Sequence, residues 1–85
     1  MDAVYVLQIG EKYDYMIDMS DIWAGDTIAS VVWTIPTGLT GSAQSNTTTT
    51  ATTWIERTAS GSLIVTALLT SAAGRKEVVN WIFKG

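Results

Sequence analysis

This sequence predicts an all-β fold, a small antiparallel β-sandwich of about seven short strands. Apolar and polar residues alternate with a period of two in nearly every segment. No window of useful length keeps apolar residues at helical spacing. Turn-forming clusters interrupt the alternation roughly every 8–12 residues, the rhythm of a sandwich or small barrel.

Taken in order, Val4–Ile9 is expected to add a strand at one edge, with residues 1–10 as an edge strand or arm. In Tyr13–Met19 the residues Tyr13, Tyr15, Ile17 and Met19 fall on one face while Asp14 and Asp18 point the other way, as a strand with one wet face requires. Ile28–Ile35 is β-branched and aromatic. Strict alternation puts Ala29, Val31, Trp33 and Ile35 on one side and Ile28, Ser30, Val32 and Thr34 on the other, until Pro36-Thr37-Gly38 ends the strand. Gly41–Thr53 is rich in Ser and Thr, but Thr is β-branched and Trp54-Ile55 follow directly, so a strand is expected over a linker, with Thr47–Ile55 at a sheet edge. After a turn at Ala59-Ser60-Gly61, Ser62–Thr70 aligns Leu63, Val65, Ala67 and Leu69 on one face. A second turn, Ala72-Ala73-Gly74, leads to Lys76–Lys84, where Val79, Trp81 and Phe83 oppose Val78, Asn80 and Ile82. No repeat or linker divides the chain, so residues 1–85 are expected to form one domain with its core centred on Trp33 and Trp81.

Composition limits what such a domain can do. Eighty-five residues lie near the size where a core alone gives a modest margin of stability. With no Cys and no His, neither a disulfide nor a His/Cys metal site can supplement that core, which leaves association with other chains. Five Lys and Arg against eight Asp and Glu give a net charge of −3, with no basic run to match a row of phosphates, so nucleic acid is not an expected partner. The Met1–Ile9 start lacks a basic segment followed by a long apolar one, and no stretch approaches the roughly 18–20 apolar residues of a membrane helix. No membrane contact is expected.

Missing His and Cys also remove the usual general base and thiolate nucleophile. The carboxylates Asp14, Asp18, Asp21 and Asp26 cluster in the first third of the chain, but a sandwich this small hardly encloses a cleft for paired-carboxylate hydrolysis. They read as a solvated face plus turn carboxylates, with Asp26 capping a turn before Thr27. Asp18, Asp21 and Asp26 offer the hard oxygens that calcium prefers, yet their spacing does not match an EF-hand loop. Asn46-Thr47-Thr48 is a formal glycosylation sequon that carries little weight by itself. Gly38, Gly41 and Gly61 are dispersed in turns and make no phosphate-cradling loop. No catalytic residue, cofactor or metal site is expected, and the protein is not expected to be an enzyme.

The sharper signal lies on the second faces. If Trp33, Leu63, Val65, Val79, Trp81 and Phe83 form the core, the opposite faces still carry Ile28, Val32, Ile64, Leu68, Val78 and Ile82. A subunit or partner interface accounts for these better than scattered single residues do. Trp23 falls in a loop and Trp54 follows the Thr run, so these two are the tryptophans expected to touch a partner. The expected docking residues are therefore Trp23, Trp54, Ile64, Leu68 and Ile82.

Several runs also resemble a known family. Tyr15-Met16-Ile17-Asp18, Gly25-Asp26-Thr27-Ile28, Val32-Trp33-Thr34-Ile35-Pro36, Gly38-Leu39 and Thr70-Ser71-Ala72-Ala73-Gly74-Arg75 are similar to short phage and prophage proteins described as fibre-tail adaptors or minor virion structural proteins with an immunoglobulin-like fold. The likeness runs from about Tyr13 to the C-terminus. It implies an immunoglobulin-like sandwich made in the bacterial host cytoplasm and built into a tailed-phage virion, an adaptor or connector that oligomerises or docks on tail, fibre, connector or capsid proteins. It brings no catalytic residues. The alternative reading on the same fold is a capsid decoration protein or a module that binds carbohydrate on a cell surface.

Overall fold

A computed structural model describes residues 2–84. Seven strands form two sheets: β1 (Asp2–Val6), β2 (Lys12–Asp18), β3 (Ile28–Thr34), β4 (Leu39–Asn46), β5 (Thr50–Arg57), β6 (Leu63–Ser71) and β7 (Lys76–Lys84). One sheet has the order β1-β7-β6-β3 and the other β2-β5-β4. Every pairing is antiparallel except β1 with β7, which run parallel, with Val4 beside Ile82. The expected antiparallel sandwich of about seven strands is thus present, and β1 departs from its pattern because the chain crosses to the second sheet after β1 and reaches β1's neighbour β7 only with its last strand.

The inner faces meet in one apolar cluster in which Ile17, Ala51 and Ile55 of the smaller sheet oppose Val65, Ala67, Leu69, Val79, Trp81 and Phe83 of the larger. Rings thicken it on one side. Tyr5 lies 4.7 Å from Tyr15 across the sheets and 5.5 Å from Phe83, while Tyr15 sits 5.8 Å from Trp81. Partial burial among these rings pushes the Tyr15 phenol above its ordinary value. Trp81 and Phe83 are the centre of the core. Trp33, expected to share that place, is half-buried at the β3 flank and leans on Trp81 at 5.4 Å.

Bulges explain where simple alternation fails. The register of β3 against β6 shifts between Ile28 and Ser30, so Ile28 turns inward and is buried although the even residues after it face out. Ile28 is therefore corrected from the outer to the inner face. On β4 the register shifts between Ser42 and Ser45, with Ala43 at φ 49°. The Ser/Thr-rich stretch is a hairpin rather than one strand. It turns at Thr47–Thr49, where the Thr47 Oγ1 accepts from the Thr50 N–H at 3.0 Å. β5 consequently lies between β2 and β4, which corrects the expectation that Thr47–Ile55 forms an edge.

Each end of the sandwich is closed by a specific tie. At one end the segment after β2 folds a tight turn, with the Trp23 N–H on the Met19 carbonyl at 2.9 Å, and sinks Met19 and Trp23 into the core. The Asp26 carboxylate there accepts from the Thr27 N–H at 2.8 Å and pairs with Arg75 at 2.8 Å, and the Ala72 N–H meets the Thr27 carbonyl at 2.9 Å. At the other end Gly38, with φ 106°, accepts from the Thr58 N–H at 2.9 Å. A Cβ on Gly38 would come within 2.8 Å of Leu63 Cδ1, the movable end of that side chain, so the positive φ is the main reason a larger residue is strained there.

Candidate docking surface

Alternation along β1, β7, β6 and β3 fixes what the larger sheet shows to the outside. Register places Val4 beside Ile82 and Ile82 beside Ile64, which makes one apolar row across three strands. A second row runs Val78–Leu68–Val32. Between them lies a polar row, Asp2–Asn80–Thr66–Thr34. In it the Thr66 hydroxyl donates to the Asn80 Oδ1 at 2.9 Å and the Asn80 Nδ2 to the Asp2 carboxylate at 3.2 Å. Those bonds hold the polar side chains along the sheet and leave the two apolar rows as raised ridges. Val4 and Val32 are 58% exposed, Ile64 51% and Val78 47%, whereas Ile82 and Leu68 are half-buried by their neighbours. The exposed apolar side chains of this face thus recur in rows rather than singly. Covering a half-exposed Ile or Val contributes about 1 kcal/mol.

The outer face of the smaller sheet differs in kind. Lys12 lies opposite Glu56, Asp14 opposite Trp54, and Trp54 opposite Ser42, with Met16, Thr52 and Ser45 in the next row. Trp54 is 38% exposed and Met16 57%. The face is otherwise acidic and hydroxylated, with Asp18 ending it beside Thr50. Asp18 is held below the usual carboxylate range by the N–H of Ser20, 2.9 Å from its Oδ1.

Of the five expected docking residues, Ile64, Leu68 and Ile82 share the outer face of the larger sheet, and Trp54 lies on the opposite side of the sandwich. Trp23 is 6% exposed and belongs to the core, so it leaves the docking set. The loop position misled because the i to i+4 turn from Met19 swings the indole back between the sheets. Sequence reasoning missed that Val4 joins the outer face and that Asp2 ends the polar row. Both depend on the parallel β1–β7 register, which no local pattern encodes. Among the described residues there is no pocket, and no acidic cluster comes together that would hold a metal ion.

A two-sheet β module of this topology belongs to the class of immunoglobulin-like domains. The solved PKD domain of the KIAA 1837 protein has the same fold: the superposition covers 98% of this chain and 79% of that one with a TM-score of 0.57 at 18% identity. No curated protein matches the sequence. Residues 8–83 match the family model described as podophage GP4 fibre-tail adaptor protein gp77, and the chain belongs to that phage structural family. The matched span holds both halves of the Asp26–Arg75 tie, so Gly25-Asp26-Thr27-Ile28 and Thr70–Arg75, two of the runs that resembled the family, meet in space as one structural clasp.

Proposed function

We infer that this domain is a non-enzymatic adaptor of a podophage tail that binds tail and fibre proteins through the ridged outer face of its larger sheet, and that it resides in the virion. The two apolar rows Val4–Ile82–Ile64 and Val78–Leu68–Val32 carry the reading, because a core needs only one face of a sheet and these side chains occupy the other. A partner that covers the ridges also receives a fixed register from the hydrogen-bonded Asn80–Thr66 row between them. Trp54 and Met16 give the opposite face a smaller anchor, so two proteins can be held on two sides of one sandwich.

The experiment is titration calorimetry of the domain against purified tail and fibre proteins, with Ile64→Asp and Val78→Asp as variants of one face and Trp54→Ala of the other. Each Asp variant is expected to weaken one partner at least about tenfold, equivalent to about 1.4 kcal/mol. Unchanged affinity for both partners in the Asp variants would remove the ridged face from the function. The second reading, a decoration or carbohydrate-recognition module, is favoured by one observation, the exposed indole of Trp54 between Asp14 and Ser42. It predicts a fluorescence change on adding host surface glycan that Trp54→Ala abolishes, with no affinity for tail or fibre proteins.

A further inference from the structure

Four strands have an unpaired side. β2 carries Lys12, Asp14 and Asp18, β3 is bent by the bulge after Ile28 and followed by Pro36, and β4 is interrupted by the bulge after Ser42. Charges, prolines and bulges are the devices that stop an edge from pairing with another chain. β1 has none of them from Ala3 to Val6. The Leu7 N–H reaches the Lys84 carbonyl at 2.8 Å, so the odd residues of this segment direct their backbone groups to β7. By alternation, Val4 and Val6 direct their N–H and C=O to the open side.

We propose that β1 is a self-association edge, pairing with β1 of a second copy, antiparallel and two-fold symmetric about Val4. The strand's own sequence selects that occupant. Centred on Val4, the pairing sets Ala3 against Tyr5 and Val6 against Asp2 of the second copy, so like charges never meet. Val4 faces itself and exchanges two N–H to C=O hydrogen bonds with its copy. The apolar row Val4–Ile82–Ile64 then continues across the two-fold axis into the same row of the second copy, and the two larger sheets become one. A register slipped by two residues in either direction keeps only three of the five strand residues paired, so the centred pairing is the one that uses the whole strand. The inference does not need the adaptor reading: its test contains no tail or fibre protein.

The chain has no cysteine, so an introduced thiol is unique. Residues that face each other in a hydrogen-bonded antiparallel pair have Cα atoms about 5.5 Å apart, within the span of a disulfide. Val4→Cys is therefore expected to form a disulfide dimer under mild oxidation at least about tenfold faster than Val32→Cys, because pairing raises the local thiol concentration. Val32, on the edge strand β3, is the matched control because it is also 58% exposed. Val6→Cys is expected to cross-link slowly, since the two thiols would lie about 13 Å apart along the strands. Wild-type protein should dimerise with rising concentration in native mass spectrometry and light scattering. Val4→Pro, which removes an N–H that β7 does not use, should stay monomeric with its melting temperature kept. Cross-linking of Val4→Cys no faster than of Val32→Cys, a wild-type monomer at every concentration, or a Val4→Pro protein that dimerises like wild type would each overturn the proposal.

Discussion

Arg57 is 1% exposed, and its guanidinium meets main-chain acceptors, with Nη1 3.4 Å from the Phe83 carbonyl, Nη2 on the Gly61 carbonyl and Nε without a partner. A buried charge adds little net stability, while the stem that carries it fills space in the core. Arg57→Met, which keeps the volume, should therefore retain the fold, and Arg57→Ala should fall about 2–3 kcal/mol below it in denaturant unfolding, the size of a Met to Ala cavity. Asp26 makes the opposite contribution at the other end. The Ser71 hydroxyl, then the Thr27 N–H, then Arg75 hold its carboxyl below the usual range. A carboxylate with a depressed folded pKa contributes stability above its unfolded pKa and loses it as pH falls through the folded value. Asp26→Asn should thus destabilise the protein at neutral pH and flatten the loss of melting temperature on acidification below about pH 4. An acid limb as steep in Asp26→Asn as in wild type would show that the clasp does not depend on the charge.

At the scale of the element, β6 and β7 show how period two divides a strand between two tasks. Val65 is 1% exposed and packs between the sheets, while its neighbour Ile64 is 51% exposed on the outer ridge. Substituting Thr at each keeps the branched shape and changes only the environment of the hydroxyl. Val65→Thr should cost about 1–3 kcal/mol because the hydroxyl is buried without a partner. Ile64→Thr should stay within roughly 0.5–1 kcal/mol of wild type by the same thermal melts. Equal losses would mean that the outer ridge is itself part of a packed layer. The same alternation in Lys76–Lys84 and Ser62–Thr70 was legible in the sequence, and the expected inner and outer faces of these two segments match the structure. It failed at Ile28, where one inserted residue changes the parity of everything before it, and bulges leave no reliable mark in composition.

For the whole molecule the deciding feature is how two thin sheets of a short chain hold together. Tyr5 ties β1 to both, touching Tyr15, Trp81 and Phe83 with centroid separations of 4.7, 6.0 and 5.5 Å. Tyr5→Ala should cost about 2–3 kcal/mol, less than a fully buried ring because Tyr5 is only half-buried. That is a large part of the total available to a domain of this size, about 5–10 kcal/mol. Chemical denaturation should then show an earlier midpoint with the slope kept. A lower slope would instead indicate that β1 detaches separately from the rest.

Composition and period by themselves determined the all-β class, the turns at Pro36-Thr37-Gly38, Ala59-Ser60-Gly61 and Ala72-Ala73-Gly74, the inner faces of the last two strands and the presence of apolar residues with no place in a core, because each of these is a local property of side chains along one strand. Ile64, Leu68 and Ile82 were legible as outward-facing for the same reason. Only the tertiary structure decided that Trp54 lies on the opposite side from them, that Trp23 is buried, that β5 is central and that β1 runs parallel to β7. These depend on which strands become neighbours and on a loop that folds back into the core, and contacts between residues far apart in sequence are set by packing of the whole chain rather than by the pattern of any one segment.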